Sequence, residues 1–146
     1  MQLKKKMPWL ILLVVFLPFI PILLMIDDWS RDWTTNSATT RPDHDDPTLR
    51  SKSSSLSPAE VAEKLSEWVD AQPQWELVSR EPVETGFQLT LIHSTRLWRF
   101  RDDVTVTIEA GTEGSTINAT SQSRIGQGDL GQNPRNLREL LQAIPG

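Results

Sequence analysis

The sequence predicts an α+β fold: a two-layer domain with a four-stranded antiparallel meander flanked by two helices (α-β-β-β-β-α), preceded by one transmembrane helix. Three observations predict it. Met7 to Ile26 is a run of twenty uncharged residues behind Lys4, Lys5 and Lys6. Two capped amphipathic segments bracket the C-terminal half. Between them lie four stretches of period-two apolar alternation joined by short, Gly-containing turns.

The apolar run is long enough as a helix to cross a hydrocarbon core, at about 1.5 Å per residue over about 30 Å. The lysines before it and Asp27 and Asp28 after it orient the N-terminus toward the cytoplasm, and Trp9, Trp29 and Trp33 fall at the two interfaces. Pro8, Pro18 and Pro21 predict a kink, because proline removes a helical hydrogen bond. A cleaved signal peptide is disfavoured, since Met25, Ile26 and Asp27 are not a small-residue cleavage site. The chain has no cysteine, so a lipid-modified thiol, a disulfide and a thiolate metal site are excluded. Residues 1–26 therefore read as a Lys-rich N-terminus and anchor in the inner, cytoplasmic-type membrane, 27–56 as a polar tether, and 57–146 as an extracytoplasmic domain.

Beyond residue 26 the chain carries 12 Lys and Arg against 19 Asp and Glu, a net charge of −7. That balance argues against nucleic acid as a partner. Residues 27–56 are rich in Ser, Thr, Asp and Pro without an apolar period. His44 stands among Asp43, Asp45 and Asp46; a weak cation site and a solvated acidic loop both fit, and the loop is favoured.

Ser57-Pro58-Ala59-Glu60 is a capping box with Pro at the first helical position, and Val61, Leu65, Trp68 and Val69 follow on one face until Pro73. The strands alternate at Trp75 and Leu77, at Phe87, Leu89 and Leu91, at Val104, Val106 and Ile108, and at Ile117 and Ala119. Asn133-Pro134 repeats the cap-plus-Pro start, and Leu137, Leu140, Leu141 and Ile144 make the closing helix. A loop at Gly111 to Gly114 sets the last hairpin so that Ala110 faces Ser115, Ile108 faces Ile117, Val104 faces Ser121, Asp102 faces Ser123 and Phe100 faces Ile125. Asp102 is then buried with Ser121 and Ser123 as donors, and Asp103 points outward with Arg99, Arg101 and Arg124. A bulge at the Asp pair exchanges those roles.

Gly126, Gly128 and Gly131 spell G-x-G-x-x-G, but no second strand follows, so a dinucleotide site is excluded. Turn chemistry, with Asp129 bonding turn amides and Asn133 capping the helix, is favoured over anion binding at the helix N-terminus beside Arg124. His93 falls at the end of the core face, distant from Asp102 and in a packing role. Asn118-Ala119-Thr120 is a glycosylation sequon by spelling only.

Phe100-Arg101-Asp102-Asp103 followed by Ser121-Gln122-Ser123-Arg124-Ile125-Gly126 and Asp129, Gly131 and Asn133 resembles the signature of the family called domain of unknown function 1499, from about Asp46 to Ile144. Members occur mainly in bacterial envelopes and plastids, and many carry an Asn-Cys-Val-like element or a lipobox, neither of which is present here. The resemblance implies no activity. It marks Asp102, Asp103, Ser123, Arg124, Gly126, Asp129, Gly131 and Asn133 as motif positions.

The expected function is a membrane-anchored, non-catalytic binding or structural module of the cell envelope. Its partner is an envelope protein or a small anionic ligand near the cationic cluster Arg99, Arg101 and Arg124. The alternative is a hydrolase-like enzyme using Asp102 as a base over Ser121 and Ser123. No cofactor and no metal is expected.

Overall fold

A computed structural model describes residues 7–20, 23, 26, 28–96 and 99–146. Lys4 to Lys6 and positions 21, 22, 24 and 25 of the expected anchor, with position 27 just beyond it, lie outside the described residues. Among the described residues six strands form one antiparallel sheet: β1 (Ser37–Thr39), β2 (Lys52–Ser54), β3 (Trp75–Val83), β4 (Gly86–Ser94), β5 (Arg101–Gly111) and β6 (Gly114–Ser123). The order across the sheet is β1-β6-β5-β4-β3, with β2 also paired to β6. The helices are α1 (Met7–Phe16), a four-residue turn α2 (Trp29–Asp32), α3 (Pro58–Asp70) and α4 (Gln132–Ala143).

Two expectations are corrected. The sheet is not a four-stranded meander, because a fifth and a sixth strand come from the stretch read as a tether. Nor do the described residues contain the expected transmembrane helix: α1 spans ten residues, Leu17–Phe19 is a 3-10 turn holding Pro18, and no helix among them is long and apolar enough to cross a membrane. Proline donates no backbone hydrogen bond, and the α-helix stops before it. The single-pass anchor is therefore not supported, and neither are the inner-membrane and extracytoplasmic placements that rested on it.

The long strands form because their apolar residues share one face. In β5 the buried residues are Asp102, Val104, Val106 and Ile108, and in β6 they are Ser115, Ile117, Ala119 and Ser121. The expected pairing holds: Asp102 faces Ser123, Val104 faces Ser121 and Ile108 faces Ile117, while Gly111 pairs with Gly114 around a tight turn. Phe100 and Ile125 lie beyond the paired strands and are exposed. Helices α3 and α4 cover the buried face with Val61, Leu65, Val69, Leu137, Leu140 and Leu141. Helix α3 starts at the Ser57–Glu60 capping box read in the sequence.

Residues 28–56 are held to this body throughout. Thr40 exchanges hydrogen bonds with Ala119, its amide donating to the Ala119 carbonyl and its hydroxyl accepting the Ala119 amide, each at 2.8 Å. The chain then leaves the edge of β6 and inserts Leu49, 1% exposed, into the core. It returns as β2, where Lys52 Nζ donates to the carbonyls of Leu141 (2.8 Å) and Ile144 (2.6 Å) at the C-terminal end of α4. A cation is favoured there because the last helical carbonyls lack partners. Arg138 on α4 pairs with Asp46 at 2.8 Å. Partial burial raises the Asp46 carboxyl, but hydrogen bonds from Thr48 and Arg138 outweigh it and bring it down to about 2.

Leu49→Ala is expected to destabilise the fold by about 2–5 kcal/mol, the range for emptying a buried leucine site. Urea unfolding measures it, and a change within about 0.5 kcal/mol returns the segment to the status of a tether.

Candidate functional site

The motif residues converge where β5, β6, α4 and the chain before β1 meet. Strand alternation sends Asp102 inward, and it is 1% exposed. A buried carboxylate is costly without donors. Ser123 Oγ donates to Asp102 Oδ1 at 2.7 Å, and Asn136 Nδ2 donates to Oδ2 at 2.9 Å. Burial pushes the Asp102 carboxyl up, but His93, Ser123 and Asn136 together outweigh it and hold the group below its ordinary value. His93 lies directly across the β4–β5 pair, with Nδ1 3.8 Å from Oδ2, beyond hydrogen-bond length. Its ring packs on Trp75, centroids 4.9 Å apart.

The network continues through fully buried amides. Ser121 Oγ donates to Asn133 Oδ1 at 2.6 Å and accepts from Asn136 Nδ2 at 3.2 Å. Asn133 Nδ2 donates to Ser123 Oγ at 3.0 Å and to the Asn36 carbonyl at 2.8 Å. Gln132 Nε2 donates to Asn136 Oδ1 at 2.7 Å. Each hydroxyl and amide thus has a partner, as interior polar groups require.

Asn133 does not cap the closing helix, contrary to expectation. The cap position is Gly131, at φ 77°, and Asn133 is already helical, with its side chain turned inward. Asp129 serves the helix start instead: Oδ1 accepts the Gly131 amide at 2.8 Å and Oδ2 accepts the Asn133 amide at 2.9 Å. A carboxylate suits a position where helical amides point outward without partners. The amides proposed for an exogenous anion therefore already carry an internal one.

The motif glycines permit close approach. A Cβ on Gly128 falls 2.4 Å from the Trp33 carbonyl oxygen, and one on Gly131 falls 2.7 Å from Asp32 Oδ2 and 3.0 Å from Arg135 Nη1. The α2 turn thus lies directly against the loop from Gly126 to Gly131. Leu130 N donates to the Asp32 carbonyl at 3.0 Å, and the buried Asp32 carboxylate accepts Arg31 Nε at 2.6 Å.

On the outer face Arg124 and Asp103 form a two-point pair, Nε to Oδ2 at 2.9 Å and Nη2 to Oδ1 at 2.6 Å. The guanidinium holds Asp103 below its ordinary value, and Asp103 in turn raises Arg124. Arg101 pairs instead with Glu76 at 3.0 Å, and Arg99 is exposed at positive φ. The three arginines expected as one cationic cluster do not act as one: two are neutralised by separate carboxylates.

Asn36, His93, Asn136 and Asp32 were not singled out by the sequence as site residues. Asn136 was signalled, since it falls on the apolar stripe with Leu137 and Leu140. His93 carried the right parity, but the six residues from Thr95 to Phe100 between β4 and β5 give no turn from which the pairing with Asp102 follows. For His44 and its aspartates, among the described residues no group of metal-binding side chains is placed to hold a cation.

Ser123→Ala is expected to lower stability at pH 7 by about 1–3 kcal/mol, the cost of a buried acceptor losing its donor. Asp102's folded pKa lies below its ordinary 3.8, so its contribution is fully present above that value and is lost as pH falls through the lower folded value. The difference between wild type and Ser123→Ala in urea midpoints therefore shrinks on acidification below pH 3.8. A pH-independent difference contradicts the assignment.

No match is found among curated proteins. Among solved structures the chain is similar to the 1.9 Å crystal structure of the Saccharomyces cerevisiae Ran-binding protein Mog1p, at 9% identity over 75% of this chain and 76% of that one, with a TM-score of 0.35. The profile of the family described as "Protein of unknown function (DUF1499)" matches residues 28–144. That match takes in the α2 turn and β1 as well as the motif and α4, and the chain belongs to this family of unknown function.

Proposed function

We propose that the chain is a non-catalytic binding module in which the family motif is an internal frame and not a reaction centre. The observation that supports this reading is the state of Asp102. Both oxygens accept hydrogen bonds within the fold, one of them fully buried, and the residue is 1% exposed. A general base must come within hydrogen-bond reach of the proton it removes. Asp102 meets its partners inside the fold.

The alternative of a hydrolase-like enzyme on Asp102 needs a cavity against that carboxylate. One groove among the described residues, about 330 Å³, is lined by residues between Arg31 and Leu49 and by Pro134, and Asp102 is not on its wall. Anion capture at Arg124 is likewise weakened by Asp103, which already occupies the guanidinium on two points. What the frame does accomplish is positional. It fixes Asn36, β1 and the first turn of α4 against one another, and β1 and Pro134 of that turn form part of the groove wall.

Carbodiimide coupling to an amine, mapped by mass spectrometry on the native protein, tests the reading. Asp102 is expected to stay unmodified while surface carboxylates such as Glu113 react. Modification of Asp102 at a surface rate reopens the catalytic alternative. Arg124→Ala is expected to fold with an unchanged circular dichroism spectrum, because its pair is solvent-exposed; loss of the folded state makes that arginine a structural element.

A further inference from the structure

We infer that the groove between α2, β1, the loop after it and Pro134 is a binding site for a small organic carboxylate. This inference rests on the reading of the chain as a binding module and names the ligand class.

The chain is acidic, with a net charge of −4, yet the lining of this groove contains no Asp or Glu. It contains Arg31, Arg41 and His44. Their charges are not equivalent. Arg31 donates through Nε to the buried Asp32 carboxylate at 2.6 Å, so its charge is largely spent within the fold. The Arg41 side chain is exposed and makes no ion pair or side-chain hydrogen bond among the described residues, although its backbone is held on both sides, its amide to the Leu49 carbonyl and its carbonyl to the Ser51 amide. A free guanidinium on a fixed backbone is a preorganised fork whose geometry matches a carboxylate on two points.

His44 adds a donor of defined identity. Its Nδ1 accepts the Asp46 amide at 3.0 Å, so the neutral ring carries its proton on Nε2. Ser37 contributes a hydroxyl that no side chain among the described residues uses. The rest of the wall combines the hydroxyl-bearing Thr35 and Thr39 with the apolar Ala38, Leu49 and Pro134. Among the described residues, one free cation and neutral donors beside a partly apolar surface fit one carboxylate on a short hydrocarbon body. At about 330 Å³ the space is at the small end for ligand sites and suits a ligand the size of a benzoate.

The experiment is a titration of the full chain with benzoate, followed by backbone amide NMR, with cyclohexanol as the neutral control. Benzoate is expected to shift the amides of Ser37, Thr39, Arg41 and His44 with a Kd on the order of 1 mM. Cyclohexanol is expected to leave them in place. Arg41→Ala should weaken benzoate at least tenfold, and Arg41→Lys, which keeps the charge but not the fork, should weaken it less. Neither change removes a contact within the fold, and an unchanged amide spectrum away from the groove verifies this. Shifts scattered outside the groove, equal response to cyclohexanol, or affinity unaltered by Arg41→Ala overturns the inference. If benzoate fails while Asp102 remains shielded from carbodiimide, the groove assignment alone falls and the non-catalytic reading stands. If Asp102 is modified, that reading is what fails.

Discussion

A carboxylate inside a protein must be met by donors that come from somewhere, and in this fold the donors of Asp102 come from different parts of the chain. Ser123 lies on the neighbouring strand and Asn136 on the closing helix. The same hydroxyl and amides then recruit Ser121, Asn133 and the carbonyl of Asn36. An apolar residue at position 102 would impose no direction on its neighbours. A charge with two filled oxygens imposes both the pairing of β5 with β6 and the rotation of α4 about its axis, since only one helical face carries Asn133 and Asn136. A buried network of this kind contributes specificity only if every member is satisfied, and here the hydroxyls and amides are.

The N-terminal stretch is organised by that frame. Asn36 is held by Asn133 and Ser123, β1 continues directly from it, and the α2 turn packs on glycines where a side chain would collide. From there to β2 the chain is pinned by Leu49, Asp46 and Lys52 to the core, to the middle of α4 and to its C-terminal end. The groove is the space this path leaves open. Its polarity follows from which charges the fold has consumed: Asp32, Asp46 and Arg138 are committed to internal pairs, and Arg41 is not.

The long elements were legible because each declares itself locally. The capping box at Ser57 and the alternation in β5 and β6 placed α3 and the Asp102–Ser123 register, as tight turns and period-two burial do. The short strands were not. Ser37–Thr39 and Lys52–Ser54 have no apolar period, and they are strands because β6 offers them an edge. A segment whose structure is supplied by its neighbour reads as a tether. The apolar N-terminal run misled in the opposite way, since its composition meets the requirement for a membrane span while Pro18 ends the regular α-helix inside it. Within the site, Asp102, Ser121 and Ser123 followed from register. Asn133 was misassigned because Asn before Pro is the usual sign of a cap, and Asp129 four residues earlier took that task.

The central claim is that Asp102 and Asn136 join sheet to helix as one unit. A double-mutant cycle on Asp102→Ala and Asn136→Ala, read by urea unfolding, measures it directly. The account predicts that each single change is costly and that the double change costs less than their sum, with a coupling of at least about 1 kcal/mol. Additivity within about 0.3–0.5 kcal/mol would contradict it, leaving the contact as proximity without coupling.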